Sequence, residues 1–220
     1  MPSIFMLEKI IVQKNKEIDA SVIWLHGLGA DGHDFESIIP ELRLPQTAKI
    51  RFIFPHAPIR KVTINGGYAM RAWYDIVGDA IQHDPDIKGM QESVAQVEEL
   101  IEDEIKSGVS SSRIIIAGFS QGGAIALLVA LQSSRSLAGV LALSTYLPDV
   151  DRENEINTSI PYLMMHGTSD FVVPIDLARK SFDKLKALGV DAEWHEYDMA
   201  HSLCQQQILK ISDWMKERIL

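Results

Sequence analysis

The chain has 220 residues, 46% of them hydrophobic and 23% charged, which supplies a substantial core and excludes an intrinsically disordered chain. A formal charge of −9 without any run of Lys and Arg argues against a nucleic-acid partner or an anionic membrane surface, since either attracts a basic patch. The single cysteine, Cys204, excludes an internal disulfide and any cysteine-based zinc cluster.

The length suits one domain over residues 1–220. The first residues lack a basic segment ahead of an apolar stretch, and the longest apolar run, 124–131, is far short of a bilayer span. The expectation is a cytoplasmic protein without an integral membrane segment. Along the chain, strands are predicted at 20–26 and 50–54, with a helix at 33–42 between them. Residues 60–88 break the rhythm: they hold Gly66-Gly67, Trp73-Tyr74 and Asp84-Pro85, and read as a long functional loop. A helix at 91–107, a strand at 113–117, a helix at 121–132 and a strand at 138–143 follow. The rest reads as a strand at 161–166, a helix at 174–188, a strand at 191–197 and a helix at 201–219. Strands alternating with helices imply an α/β fold with a mostly parallel sheet covered by helices on both faces.

Gly118-Phe119-Ser120-Gln121-Gly122 lies between a predicted strand and a predicted helix, the sequence form of a nucleophile elbow. The pentapeptide alone decides little, because roughly one chain of this length in fifteen holds it by accident. A serine hydroxyl also needs a base, and His201, the last histidine, follows the final predicted strand. His195 is its rival but sits inside that strand. An acid must orient the imidazole, and Asp170 follows the strand at 161–166, in the loops where α/β sheets hold ligands. Asp176 and Asp149 are alternatives that do not directly follow a strand. Two N–H donors are needed where negative charge appears on the attacked carbonyl oxygen. Gln121, next to the serine, supplies one, and Leu28 in His26-Gly27-Leu28-Gly29-Ala30-Asp31-Gly32 is the favoured second. That glycine-rich loop lacks the spacing of a phosphate or dinucleotide loop. In the long loop, Tyr68, Met70, Trp73 and Tyr74 offer an apolar wall for substrate, Trp73 being the chosen contact; the competing role is to anchor the loop to the core.

The glycine-rich loop, the elbow, His166-Gly167-Thr168-Ser169-Asp170-Phe171-Val172-Val173-Pro174 and Met199-Ala200-His201-Ser202 together resemble the acyl-protein thioesterase and small bacterial carboxylesterase family. Phe54-Pro55-His56-Ala57-Pro58 and Ala72-Trp73-Tyr74-Asp75 are similar to its signatures, and the resemblance runs from about Val22 to Trp214. It implies an α/β-hydrolase fold without a large cap domain, and a Ser120, His201 and Asp170 triad. Leu28 and Gln121 would be the oxyanion amides. It implies hydrolysis of carboxylic esters and, in some members, of acyl thioesters on lipidated proteins or of lysophospholipids, with no metal or organic cofactor. Ala200 departs from the family's frequent glycine before the base. Three other readings stand beside a soluble esterase: a lysophospholipase or depalmitoylating thioesterase touching membranes transiently, a serine peptidase, and a non-catalytic ligand-binding protein on the same fold. A homodimer is compatible with each.

Overall fold

The computed structural model describes residues 7–77, 85–149 and 156–220. A strand β1 (Lys9–Gln13) precedes β2 (Ala20–Leu25), a short helix α1 (Ile38–Glu41) and β3 (Ile50–Pro55). A hairpin of β4 (Ile59–Val62) and β5 (Tyr68–Arg71) follows, then the long helix α2 (Ile87–Lys106). The remainder runs β6 (Ile114–Phe119), α3 (Gln121–Gln132), β7 (Gly139–Leu143), β8 (Tyr162–Gly167), α4 (Ile175–Ala187), β9 (Ala192–Tyr197) and α5 (Gln205–Ile219), alternating except that β8 follows β7 among the described residues. Among the described residues, seven strands form one sheet in the order β1-β3-β2-β6-β7-β8-β9. Only β1 runs antiparallel to its neighbour; the other pairs are parallel.

The apolar runs of the central strands follow from burial on both faces. Along β6, Ile114 and Ile116 enter a core with Ile23, Leu25, Val140, Met164 and the apolar faces of α2 and α3. Ile115 and Ala117 enter the opposite core with Trp24, Phe54, Leu141, Met165 and residues of α1 and α5. Burying one such Ile or Leu side chain contributes about 1.5–3 kcal/mol, so the period-two alternation fixes the register of each strand. Helix α3 has no polar stripe, and every residue from Gln121 to Leu131 is buried. A helix apolar all round is held by contacts on all sides, which gives its first turn a fixed position over β6.

Four expectations need correction. Strand β1 is absent from the predicted elements; it is an edge strand of partly exposed residues with little apolar contrast to read. The helix expected at 33–42 survives only as Ile38–Glu41, because the Asp31 carboxylate accepts the His33 N–H at 2.8 Å and the intervening residues form turns. The loop at 60–88 contains a hairpin, paired from Ile59 with Arg71 to Val62 with Tyr68. Helix α2 starts earlier than 91, at Ile87, where Asp86 accepts the Gly89 N–H at 2.9 Å as N-cap. Residues 78–84 of that loop lie outside the described residues.

Because the strands around the centre are parallel, the loops after β2, β6, β8 and β9 emerge at one edge of the sheet. These are the loops that carry Leu28, Ser120, Asp170 and His201. The mostly parallel sheet, helices on both faces and, among the described residues, the lack of a large inserted cap make this an α/β-hydrolase fold.

Candidate active site

Ser120 directly follows β6 and immediately precedes α3, with φ of 53° and ψ of −119°. A non-glycine residue at positive φ in this region costs on the order of 1–3 kcal/mol, so the surrounding contacts must hold it. Its N–H donates to Leu143 O at 2.9 Å, while its carbonyl accepts from the Thr145 hydroxyl at 2.6 Å and from the Ala124 N–H at 3.1 Å. The elbow is also closed sterically. A Cβ on Gly118 would stand 2.3 Å from Gly122 O, and one on Gly122 would stand 2.5 Å from His26 O. Strand, helix and the loop after β2 therefore meet at van der Waals limits, and side chains at either position would force them apart.

Asp170 is buried in the turn after β8. One carboxylate oxygen, Oδ1, accepts the N–H groups of Val172 and Val173, both at 2.9 Å. The other, Oδ2, lies 2.7 Å from His201 Nδ1 and 3.3 Å from His166 Nε2. His166 is itself buried, and its Nε2 donates mainly to Val173 O at 2.8 Å. Burial lowers the pKa of this imidazole, with the hydrogen bond to Val173 and the Asp170 charge opposing the shift. A carboxylate that accepts three hydrogen bonds, two on Oδ1 and one on Oδ2, is fixed in both position and rotation.

His201 lies in the bend after β9, and α5 begins only at Gln205, later than the predicted 201. The base-bearing loop is held to the acid-bearing loop by the bonds Thr168 N–H to Tyr197 O at 2.8 Å and Ser169 N–H to Met199 O at 3.1 Å. Ala200 fits this loop; its carbonyl and that of Met199 close over Gly167, where a Cβ would come within 2.4 Å of both. The imidazole packs on Phe119, the residue before Ser120, with ring centroids 4.7 Å apart. With Nδ1 turned to Asp170, Nε2 is the nitrogen free for a proton transfer. The rival residues sit elsewhere: His195 Nε2 is 3.4 Å from Glu193, Asp176 is exposed beside Arg179, and Asp149 pairs with Lys184 at 2.7 Å.

Leu28 and Gln121 border the elbow from two sides. A Cβ on Gly27 would lie 3.5 Å from the Ser120 Cβ, so the loop after β2 passes directly over the serine. The loop's far end is bound to β5 through Gly29 N–H to Arg71 O at 2.9 Å. Among the described residues, neither the Leu28 N–H nor the Gln121 N–H is committed to another acceptor. Trp73, expected to touch substrate, has no exposed surface; its indole and main-chain N–H groups bond to His26 O and Gln121 Oε1. Of the expected wall, Tyr74 is buried as well, its hydroxyl 2.7 Å from that of Tyr146, whereas Tyr68 is exposed. Among the described residues no group of His, Cys, Asp and Glu is arranged to hold a metal ion.

Sequence reasoning gave no role to His26, Thr145 or His166. Thr145 had one readable signal: it follows β7, the neighbour of β6, at the same edge of the sheet as the elbow. His26 is buried, accepting the Ala57 N–H on Nε2 at 3.0 Å and donating from Nδ1 to Gly27 O at 2.7 Å. Burial pushes its pKa down from 6.5 to about 4, with the Gly27 hydrogen bond opposing the shift. Between those pH values the unfolded chain binds a proton that the folded chain refuses, so stability falls as pH drops through this window. His26 alone accounts for a loss of about 3 kcal/mol at most. His166 shifts in the same direction. Urea unfolding at pH 7 and pH 4.5 checks this: the wild type is expected to lose more stability on acidification than His26→Gln, and equal losses would contradict the assignment.

The residues from 7 to 219 match the family model described as Phospholipase/Carboxylesterase. The chain is 38% identical over 213 residues to Acyl-protein thioesterase 1 of Neurospora crassa, covering 91% of this chain and 87% of the relative. Acyl-protein thioesterase 1 of Yarrowia lipolytica is also 38% identical, over 211 residues, covering 91% of this chain and 92% of the relative. Among solved structures, Arabidopsis thaliana SOBER1 superposes with a TM-score of 0.85 at 30% identity, over 92% of this chain and 100% of that one. Zea mays acyl-protein thioesterase 2 gives 0.81 at 27% identity, over 97% and 99%. Likeness in sequence and in fold thus extends over nearly the whole chain, and the chain belongs to the phospholipase/carboxylesterase family of α/β-hydrolases, related to the esterases and acyl-protein thioesterases.

Proposed function

We propose that the protein is a serine hydrolase that cleaves carboxylic esters and acyl thioesters through an acyl-enzyme. The observation that carries this reading is the 2.7 Å contact between His201 Nδ1 and the buried Asp170, with the imidazole packed on Phe119, the residue before the strained Ser120. Holding a serine at φ of 53° and ψ of −119° costs stability, and such strain clusters at functional sites. In the proposed reaction His201 Nε2 takes the Ser120 proton as Oγ bonds to the acyl carbon. The oxyanion is held by the N–H groups of Leu28 and Gln121. The carbon–oxygen or carbon–sulfur bond to the leaving group breaks, and the alcohol or thiol departs with the proton from His201. Water, deprotonated by the same imidazole, then releases the carboxylic acid and restores Ser120. No step needs a metal or an organic cofactor.

The surfaces near the site favour an apolar acyl group. Phe171 is 92% exposed and Val172 56% exposed, directly after Asp170, and the hairpin beside the Leu28 loop presents Ile59, Ile64 and Tyr68. The same exposed residues support a second reading, a lysophospholipase or protein depalmitoylating thioesterase that reaches substrate at a membrane surface. No helix among the described residues is long and apolar enough to cross a membrane. A panel of p-nitrophenyl esters and acyl thioesters of rising chain length, with vesicle sedimentation, separates the two. A fluorophosphonate probe is expected to label Ser120 in the wild type and to fail in His201→Ala. Labelling that survives loss of His201, or an absence of turnover over the whole panel, would overturn the hydrolase reading.

A further inference from the structure

We propose that Trp73 is a positioning residue that sets the distance between the two oxyanion-hole amides, an inference that rests on the serine-hydrolase reading above. The tryptophan lies between β5 and α2 with 0% of its surface exposed, out of reach of substrate. Both of its N–H groups point toward the site. The indole Nε1–H donates to His26 O at 2.8 Å, and the main-chain N–H donates to Gln121 Oε1 at 2.8 Å. One residue therefore holds the loop two positions before Leu28 and the side chain of the residue that offers the other amide.

The surrounding contacts leave little slack at either end. The His26 carbonyl is trapped between the indole N–H and the start of α3, where a Cβ on Gly122 would approach it to 2.5 Å. The His26 ring packs on Trp73 with centroids 5.4 Å apart and donates to Gly27 O. On the other side, the Gln121 side chain is buried and bonded at both its oxygen and its nitrogen to this segment, its Nε2 donating to Tyr74 O at 2.8 Å. Trp73 is in turn fixed to α2, because the Ser93 hydroxyl donates to its carbonyl. Oxyanion stabilisation demands donors about 2.7–3.1 Å from the developing charge, and displacing a reacting group by about 1 Å costs on the order of 100-fold. A tryptophan serving only as a loop anchor would need no bond to either amide-bearing element.

Trp73→Phe keeps an aromatic side chain and removes the indole N–H together with the five-membered ring, and Ser93→Ala loosens the same residue from α2. For Trp73→Phe, kcat is expected to fall about 10- to 100-fold with KM within about threefold, and Ser93→Ala to show a smaller loss of the same kind. Affinity for a trifluoromethyl ketone, which forms a tetrahedral adduct on the serine, is expected to fall in step with kcat/KM. Circular dichroism establishes that each variant is folded; if Trp73→Phe does not fold, Ser93→Ala decides the question. Turnover and ketone affinity within twofold of wild type in the folded variants would overturn the proposal, as would a change confined to KM. Either result differs from failure of the hydrolase reading, in which the wild type itself shows neither turnover nor fluorophosphonate labelling.

Discussion

Ser120→Ala is expected to lower kcat by on the order of 10⁴-fold or more while leaving the fold intact. The hydroxyl makes no cap hydrogen bond to α3, so its removal leaves no partner stranded in the elbow. Alanine retains the Cβ, and with it the strain of a side-chain-bearing residue at φ of 53°. Glycine does not, which yields a second expected result. Ser120→Gly loses the same activity but relaxes about 1–3 kcal/mol of backbone strain, partly offset by the roughly 0.5–1 kcal/mol entropy cost of glycine. A net gain of about 1 kcal/mol raises the melting midpoint of a chain this long by about 2–4 °C over that of Ser120→Ala. Calorimetry and ester turnover on the two variants check both parts. Turnover within tenfold of wild type in Ser120→Ala would remove the serine from the chemistry, and a lower midpoint for Ser120→Gly would show that the elbow stores no strain.

What could be read from the sequence follows from how each part is held. The strands that carry Ser120 and Asp170 are buried on both faces, and runs such as Ile114-Ile115-Ile116-Ala117 announce themselves for that reason. Glycines at 118 and 122 were legible because the elbow tolerates no Cβ there. The edge strand β1 and the β4–β5 hairpin were not, since exposed residues of mixed character carry neither period two nor period 3.6. Helix α5 is overextended in the sequence reading because residues 201–204 mix polar and apolar side chains as the helix does, while tertiary bonds to the loop after β8 hold the preceding residues in a bend.

The site divides in the same way. Ser120, Asp170 and His201 could be named from chain order and strand ends, and the Asp170 to His201 contact now joins two of them. The supports behind them use main-chain carbonyls as acceptors: Thr145 to Ser120 O, Trp73 to His26 O, His166 to Val173 O. A carbonyl is present at every residue, so nothing in the side-chain pattern distinguishes the ones that matter. Trp73 shows the cost of this most clearly. Its position in an aromatic loop suggested contact with substrate, whereas burial and two N–H bonds give it the supporting role argued above.

Asp170→Asn tests the acid more sharply than a truncation, because the direction of the amide is dictated by its neighbours. The Val172 and Val173 N–H groups both require an acceptor, so the asparagine oxygen must occupy the Oδ1 position and the NH₂ the Oδ2 position. That NH₂ then faces His201 Nδ1 across the 2.7 Å gap now bridged by a proton on the imidazole. Nδ1 must become the acceptor, which moves the ring proton to Nε2, the nitrogen that has to receive the Ser120 proton. The imidazolium also loses the negative charge that stabilises it once protonated. Together these changes are expected to lower kcat about 10⁴-fold with KM little altered, leaving the residual rate that an oxyanion hole and substrate binding supply. Asp170→Ala, by contrast, strands the two valine N–H groups in a buried pocket and is expected to destabilise the chain by about 2–4 kcal/mol as well. Steady-state kinetics and urea unfolding on both variants separate the effects. An Asn variant with kcat within tenfold of wild type would mean that Asp170 merely closes a turn, and that another group orients His201.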